Sequence, residues 1–273
     1  MKTVGEVLKL SAAFLTERGI DKGRRIAEEL LSGSLGVKRL DLYLQFDKPV
    51  EEAELVLLRE QLKRCAKGEP VQYVIGEMEF YGARIKVDSR ALIPRPETEI
   101  LVDLIAKQTT TGKLWDICTG SGCIGIALKK VMPELDVTLS DFSNQALELA
   151  TYNAKLNGVQ VVIKHGDLMD PFQGQKADVI VCNPPYISAS EYLHLHSSVR
   201  DFEPKQALVG GDKGIEFYER LALAVPPLMN PGGRLFLELG TGQGEVVKKI
   251  FRGEGRVEKD WAGHDRFFFL ERQ

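Results

Sequence analysis

The chain has 273 residues, of which 44% are hydrophobic and 27% charged, values that exclude a disordered chain and leave room for one large domain or two. A formal net charge of −3 and a pI near 5.9 lack the basic excess of a protein that lives by gripping phosphate backbones. Cys65, Cys118, Cys123 and Cys182 contain no C-x-x-C pair and lie in or beside apolar segments, which predicts reduced, buried thiols in a cytoplasmic protein rather than a disulfide framework or a zinc site.

Met1-Lys2-Thr3 leads directly into a helical pattern without the apolar core of a signal peptide, and no apolar run is long enough to span a bilayer. Val4, Val7, Leu8, Phe14 and Leu15 follow helical spacing up to Gly19; a second helix is predicted from Arg24 to Leu35, and a longer one from Val50 to Lys67. These make an N-terminal helical domain over 1–68. At Gly68-Glu69-Pro70 the texture changes. Residues 71–76 and 80–87 alternate like strands around glycines, which predicts a β-hairpin linker over 69–92. Pro96, Glu97 and Glu99 then suit the first turn of a helix running to about Lys107.

The remaining domain, 93–273, alternates strand and helix. Strands are predicted at 113–117, 136–140, 160–164, 178–182 and 233–239, and helices at 123–131, 143–157, 214–226 and 242–251. That alternation argues for an α/β fold with a parallel sheet covered by helices on both faces. Runs at 257–261 and 266–270 have no helix between them, so the sheet ends in an antiparallel hairpin.

The chemistry concentrates at four strand ends. The first gives Asp116-Ile117-Cys118-Thr119-Gly120-Ser121-Gly122, a glycine-rich loop that lets backbone approach a ligand at a helix N-terminus. The second ends in Asp141-Phe142, an acid placed to accept hydrogen bonds from ribose hydroxyls. The third leads to Gly166-Asp167-Leu168, the adenine edge of the same pocket. The fourth, Val179 to Cys182, stops at Asn183-Pro184-Pro185-Tyr186. Two prolines remove two N–H donors and fix φ, leaving the Asn183 side-chain oxygen and the Pro184 carbonyl as acceptors for a planar NH2.

These motifs resemble class I S-adenosylmethionine-dependent methyltransferases that act on planar amino or amide nitrogens. Pro70-Val71-Gln72-Tyr73, Phe80-Tyr81-Gly82, Leu92 to Glu99, Phe202 to Leu208 and Gly210-Gly211 narrow the resemblance to the peptide chain release factor glutamine methyltransferases, the HemK or PrmC family. It covers the chain from about residue 68 to the end. The resemblance implies a Rossmann-like domain with a mostly parallel seven-stranded sheet, preceded by a helical substrate-recognition domain. It implies methyl transfer from S-adenosylmethionine, leaving S-adenosylhomocysteine, to the amide nitrogen of the glutamine in the Gly-Gly-Gln motif of class I release factors, in support of translation termination. Cofactor contacts then fall on Cys118, Thr119, Gly120, Ser121, Gly122, Asp141, Phe142, Asp167, Leu168 and Asn183. Substrate contacts fall on Asn183, Pro184, Pro185 and Tyr186, with Asn183, Pro184 and Tyr186 at the chemistry. No metal, no direct nucleic-acid contact, no membrane and a monomeric state are expected.

Other residues carry blander expectations. His194 and His196 flank Leu195 with no third ligand in step, as in a polar loop. Arg95 is expected to be structural and Glu238 scaffold; Glu97 is left open. The 187–213 segment is long for a connection and is expected to order around substrate. Two rivals remain at this level. One is a nucleic-acid methyltransferase holding an exocyclic base amine on the same acceptors; the other is a catalytically silent binding module.

Overall fold

A computed structural model of the protein describes residues 1–273, which divide into two units: Met1–Gly76 with Ser197–Phe202, and Glu77–His196 with Glu203–Gln273.

The first unit is helical: α1 (Val4–Thr16), α2 (Gly23–Leu35), α3 (Asp41–Leu44), α4 (Glu52–Cys65) and α5 (Val71–Ile75). Thr3 opens α1 with a capping box, its hydroxyl accepting from Glu6 N while the Glu6 carboxylate accepts from Thr3 N. Gly36, in the left-handed region, closes α2. Val4, Leu8, Leu30, Leu31, Leu58 and Leu62 form one buried core. Residues 71–76 correct the strand expectation, because they form a single helical turn. Val71 and Val74, three apart, both enter that core, and Gly76 (φ +83°) ends the turn by donating to Gln72 O at 2.8 Å. Five apolar-rich residues satisfy period 2 and period 3.6 equally, so only packing decides.

The second unit begins with β1 (Glu77–Phe80) and β2 (Ala83–Lys86), an antiparallel hairpin turning at Tyr81 and Gly82, both with positive φ. It continues with α6 (Pro96–Gln108), β3 (Gly112–Ile117), α7 (Cys123–Val131), β4 (Leu135–Asp141), α8 (Asn144–Leu156), β5 (Val162–His165) and β6 (Ala177–Cys182). Beyond β6 come β7 (Ile187–Ser188), α9 (Ala189–Tyr192), α10 (Ser197–Arg200, counted with the first unit) and β8 (Val209–Gly211), so the 187–213 segment is built of short elements. The chain closes with α11 (Glu216–Ala224), β9 (Met229–Glu238), α12 (Gly244–Ile250), β10 (Arg256–Lys259) and β11 (Asp265–Glu271).

Seven strands form one sheet in the order β10-β11-β9-β6-β3-β4-β5. β9, β6, β3, β4 and β5 run parallel, and β11 is antiparallel to both β9 and β10. Alternate residues sort to the two faces. Trp115, Ile117, Ile180, Cys182, Leu235 and Leu237 pack with Tyr218 and Leu221 of α11 and Val247 of α12, whereas Asp116 turns the other way and bonds Gly125 of α7. Strand order reverses between β3 and β6, and at such a switch point the C-terminal strand ends open a crevice.

Side chains of α8 complete the edge of the hairpin. Asn153 accepts from Lys86 N at 2.8 Å and donates to Lys86 O at 3.1 Å; Asn157 does the same for Arg84 at 3.0 and 2.7 Å. Two amides one helical turn apart thus stand in for a missing neighbouring strand.

Candidate active site

The loop after β3 is shaped by left-handed residues at Cys118 (φ +55°), Gly120 (φ +54°) and Gly122 (φ +81°). Asp116 lies beneath it, fully buried, with Oδ2 accepting from Thr119 Oγ1 at 2.6 Å and from Gly125 N at 2.9 Å. Its Oδ1 has no partner, and burial pushes the carboxyl up to about 7. Asp116 stands off the cavity wall, as the staple of loop to helix. Glycine at 125 lets α7 lie on the sheet, since a Cβ there would come within 2.3 Å of Leu139 Cδ2.

Asp141 ends β4 with both oxygens engaged once. Gly120 N donates to Oδ2 at 2.8 Å and Ser143 N to Oδ1 at 2.9 Å. Burial raises this carboxyl, while the N–H bonds from Ser143 and Gly120 pull it back. Each oxygen keeps a lone pair, so the pair can still accept from a diol.

These elements surround a cavity of about 380 Å³, within the range of small-ligand sites. Of the cofactor positions expected from sequence, Cys118, Thr119, Gly120, Ser121, Asp141, Phe142, Asp167, Leu168 and Asn183 line it. Gly122 does not: its Cβ position faces Ile126, Ala150 and Leu139 behind the loop. Ser121 Oγ is buried without a partner on the cavity wall. An orphaned hydroxyl, an acid with spare acceptors, and apolar walls from Ile124, Ala146 and Leu168 fit an adenosyl group carrying a polar tail.

The corner after β6 brings Asn183 and Pro185 to the same cavity, while Pro184 and Tyr186 stand outside its lining. The Asn183 side chain is half-buried and has no hydrogen-bond partner, and no donor reaches the Pro184 carbonyl. The Tyr186 ring packs against Gly240, and burial, with the Glu238 carboxylate near, pushes its phenol well up. Gln243 Nε2 donates to Tyr186 O at 2.9 Å.

A second wall was not legible as such in the sequence. Arg90 to Thr98 and Pro204 to Val209 contribute residues to it. They are joined by Glu203, buried, which accepts from Arg95 Nη2 at 2.5 Å and from Ile93 N at 3.0 Å. Thr98 Oγ1 donates to Glu238 Oε2 at 2.7 Å, and burial pushes Glu238 up to about 7. Glu97 is exposed at the start of α6. Arg220 of α11 and Asp167 both line the cavity and pair with each other, Arg220 Nη2 donating to Asp167 Oδ2 at 2.6 Å. Signature segments flagged both loops; the partner of each charged group lay too far along the chain for any spacing rule. His194 and His196 are exposed, and no group of three or more His, Cys, Asp or Glu is arranged to hold a metal ion. No helix is long and apolar enough to cross a membrane.

A family model described as "Methyltransferase small domain" matches residues 95–199, and one described as "PrmC N-terminal domain" matches residues 6–76. The release factor glutamine methyltransferase of Chlamydia trachomatis is 43% identical over 98% of this chain and 94% of that protein. Its counterpart in Geobacter sulfurreducens is 40% identical over 93% and 89%, and that in Bacillus subtilis 39% identical over 97% and 96%. Among solved structures, a methyltransferase from Pyrococcus furiosus superimposes with a TM-score of 0.52 at 21% identity, over 69% of this chain and 89% of that one. The 16S rRNA methyltransferase RsmC of T. thermophilus, in complex with AdoMet and guanosine, gives 0.51 at 17% identity, over 72% and 50%. At those identities the likeness is one of fold alone.

Proposed function

The chain belongs to the release factor glutamine methyltransferase family, and from that premise we propose that it transfers a methyl group from S-adenosylmethionine to the side-chain amide nitrogen of the glutamine in the Gly-Gly-Gln motif of class I peptide chain release factors. The observation that carries this is the pair of unbonded acceptors, Asn183 Oδ1 and the Pro184 carbonyl, beside a cavity suited to an adenosyl group.

S-Adenosylmethionine supplies, when bound, a methyl group made electrophilic by its sulfonium. The protein's part is to hold and orient. Asp141 takes the ribose hydroxyls; Phe142, Asp167 and Leu168 flank the adenine; the Cys118–Gly122 loop and the Ser121 hydroxyl take the polar tail. An amide nitrogen is a poor nucleophile because its lone pair is delocalised. Asn183 and Pro184 each accept one N–H of the glutamine NH2, which fixes the nitrogen towards the methyl and favours the positive charge growing on it. Pro185 walls the glutamine side chain, and Tyr186 braces the corner and helps exclude water. The proton leaves the nitrogen after transfer, so no dedicated base is required.

The first unit serves as the recognition domain for the protein substrate, and the enzyme acts as a monomer in the cytoplasm without metal or direct nucleic-acid contact. A net charge of −3 and four free cysteines support that setting. The test is a labelled-methyl transfer assay offering release factor, release factor with the Gly-Gly-Gln glutamine replaced, and bulk RNA and DNA. Label is expected in the first alone; label in RNA or DNA, or indifference to the glutamine replacement, overturns the proposal.

A further inference from the structure

Gln243 sits one residue before α12, where its side chain would ordinarily be free to cap the helix. It makes no such bond. The amide turns back instead and commits both N–H donors and its oxygen elsewhere: Nε2 donates to Tyr186 O at 2.9 Å and to Gly214 O at 3.3 Å, and Oε1 accepts from Gly240 N at 2.9 Å. Two carbonyls and one N–H surround it, so only one orientation of the amide satisfies them all.

The corner needs such a partner. Pro184 and Pro185 have no N–H, so half of the corner's four residues offer no backbone donor to tie it down. Its carbonyls are instead held from outside. Glycine is obligatory at 210, where a Cβ would lie 2.3 Å from Pro185 O, and at 214, where it would lie 2.4 Å from Tyr186 O. Immediately downstream, Ile187 N donates to Leu208 O at 2.9 Å as β7 pairs with β8. Tyr186 O is therefore the last carbonyl of the corner, and Gln243 is the side chain that fixes its direction.

We infer that Gln243 is a positioning residue: it aims the Asn183–Tyr186 corner through the Tyr186 carbonyl and so sets the line of approach of the substrate nitrogen. The inference rests on the glutamine-methylation reading for its kinetic consequence, though not for its structural one. Misplacing a near-attack geometry by a fraction of an ångström lowers turnover without touching the ribose, adenine and polar-tail contacts, which follow β3, β4 and β5.

The experiment uses the full chain with Gln243→Leu and Gln243→Glu. Glutamate keeps the size of the side chain and the acceptor on Gly240 N but loses both N–H donors. Both variants are expected to lose ~10- to 100-fold in kcat, with S-adenosylmethionine affinity by calorimetry and the KM for release factor close to wild type. Hydrogen exchange is measured in parallel: amides of Ile187 and Ser188, bonded to Leu208 O and Glu191 Oε2, are expected to lose protection in Gln243→Leu while those of β3 and β4 keep theirs. Wild-type kcat in Gln243→Glu would mean that the side chain only caps Gly240, and parallel loss of cofactor affinity would mean general scaffolding; either overturns the inference. Should wild-type enzyme leave release factor unmethylated, the functional reading fails, and the exchange data alone decide whether Gln243 holds the corner. Unchanged exchange at Ile187 refutes that.

Discussion

Thr98 Oγ1 donates to Glu238 Oε2 at 2.7 Å, tying the first turn of α6 to the end of β9 in the floor beneath the corner. Glu238 is buried there, with the Arg266 and Arg95 charges lowering and the Glu97 charge raising its proton affinity, and burial dominating at about 7. A carboxyl raised on folding holds its proton between about 4.5 and 7 while the unfolded chain has lost it, so stability is greatest below that window and falls as pH rises through it. A displacement of this size corresponds to roughly 3 kcal/mol. Urea unfolding of Glu238→Gln across the window is expected to show a shallower pH slope than wild type, with the remainder owed largely to Asp116. Identical slopes would remove Glu238 from the explanation.

Asp141 bears on cofactor affinity. Its two oxygens already hold Gly120 N and Ser143 N, so Asp141→Ala loses both the loop anchor and the ribose acceptors. Hydrogen bonds to a charged group contribute about 1.5–3 kcal/mol, so S-adenosylmethionine binding should weaken by ~10- to 100-fold in calorimetry. Unchanged affinity would contradict the ribose assignment.

The ion pair of Arg95 and Glu203 is asymmetric: the Glu203 side chain is 1% exposed and that of Arg95 31%. Removing the arginine strands a buried carboxylate, and breaking such a pair costs about 3–5 kcal/mol. Glu203→Gln, which retains an acceptor for Ile93 N, should cost distinctly less than Arg95→Ala in chemical denaturation. The reverse order would mean that the pair is not what joins the two segments.

Gly125→Ala tests the seat of α7. The added methyl would meet Leu139 Cδ2 at 2.3 Å and Asp116 Oδ2 at 3.1 Å. Overpacking of this kind costs about 1–3 kcal/mol, and the loop that α7 carries should bind cofactor more weakly. A variant as stable as wild type would show that α7 has room to shift.

Periodicity carried most of the second unit. The helix expected at 123–131 is α7 as observed, and the parallel strands fall within a few residues of expectation because long apolar runs between glycine-rich turns leave one solution. Val71–Ile75 escaped because five residues hold no decisive period. The four strand ends were legible as a site, since a parallel sheet must deliver them to one edge. What could not be read was how the edge is held. Thr98 finds Glu238 across 140 residues, Arg95 finds Glu203 across 108, and Gln243 finds Tyr186 across 57; pairs set by tertiary packing leave no spacing in the chain. Gln243 fell inside the helix expected at 242–251, where nothing marked its side chain for a tertiary contact.

Methyl transfer by Asn183→Ala tests the central claim most directly. The side chain has no partner within the protein, so its loss should leave the fold and S-adenosylmethionine affinity intact. Labelled-methyl incorporation into purified release factor is expected to collapse by ~100-fold or more as the nitrogen loses its orienting acceptor. Near-normal turnover in that variant, with cofactor still bound, would contradict the assignment of Asn183 as the group that holds the glutamine amide.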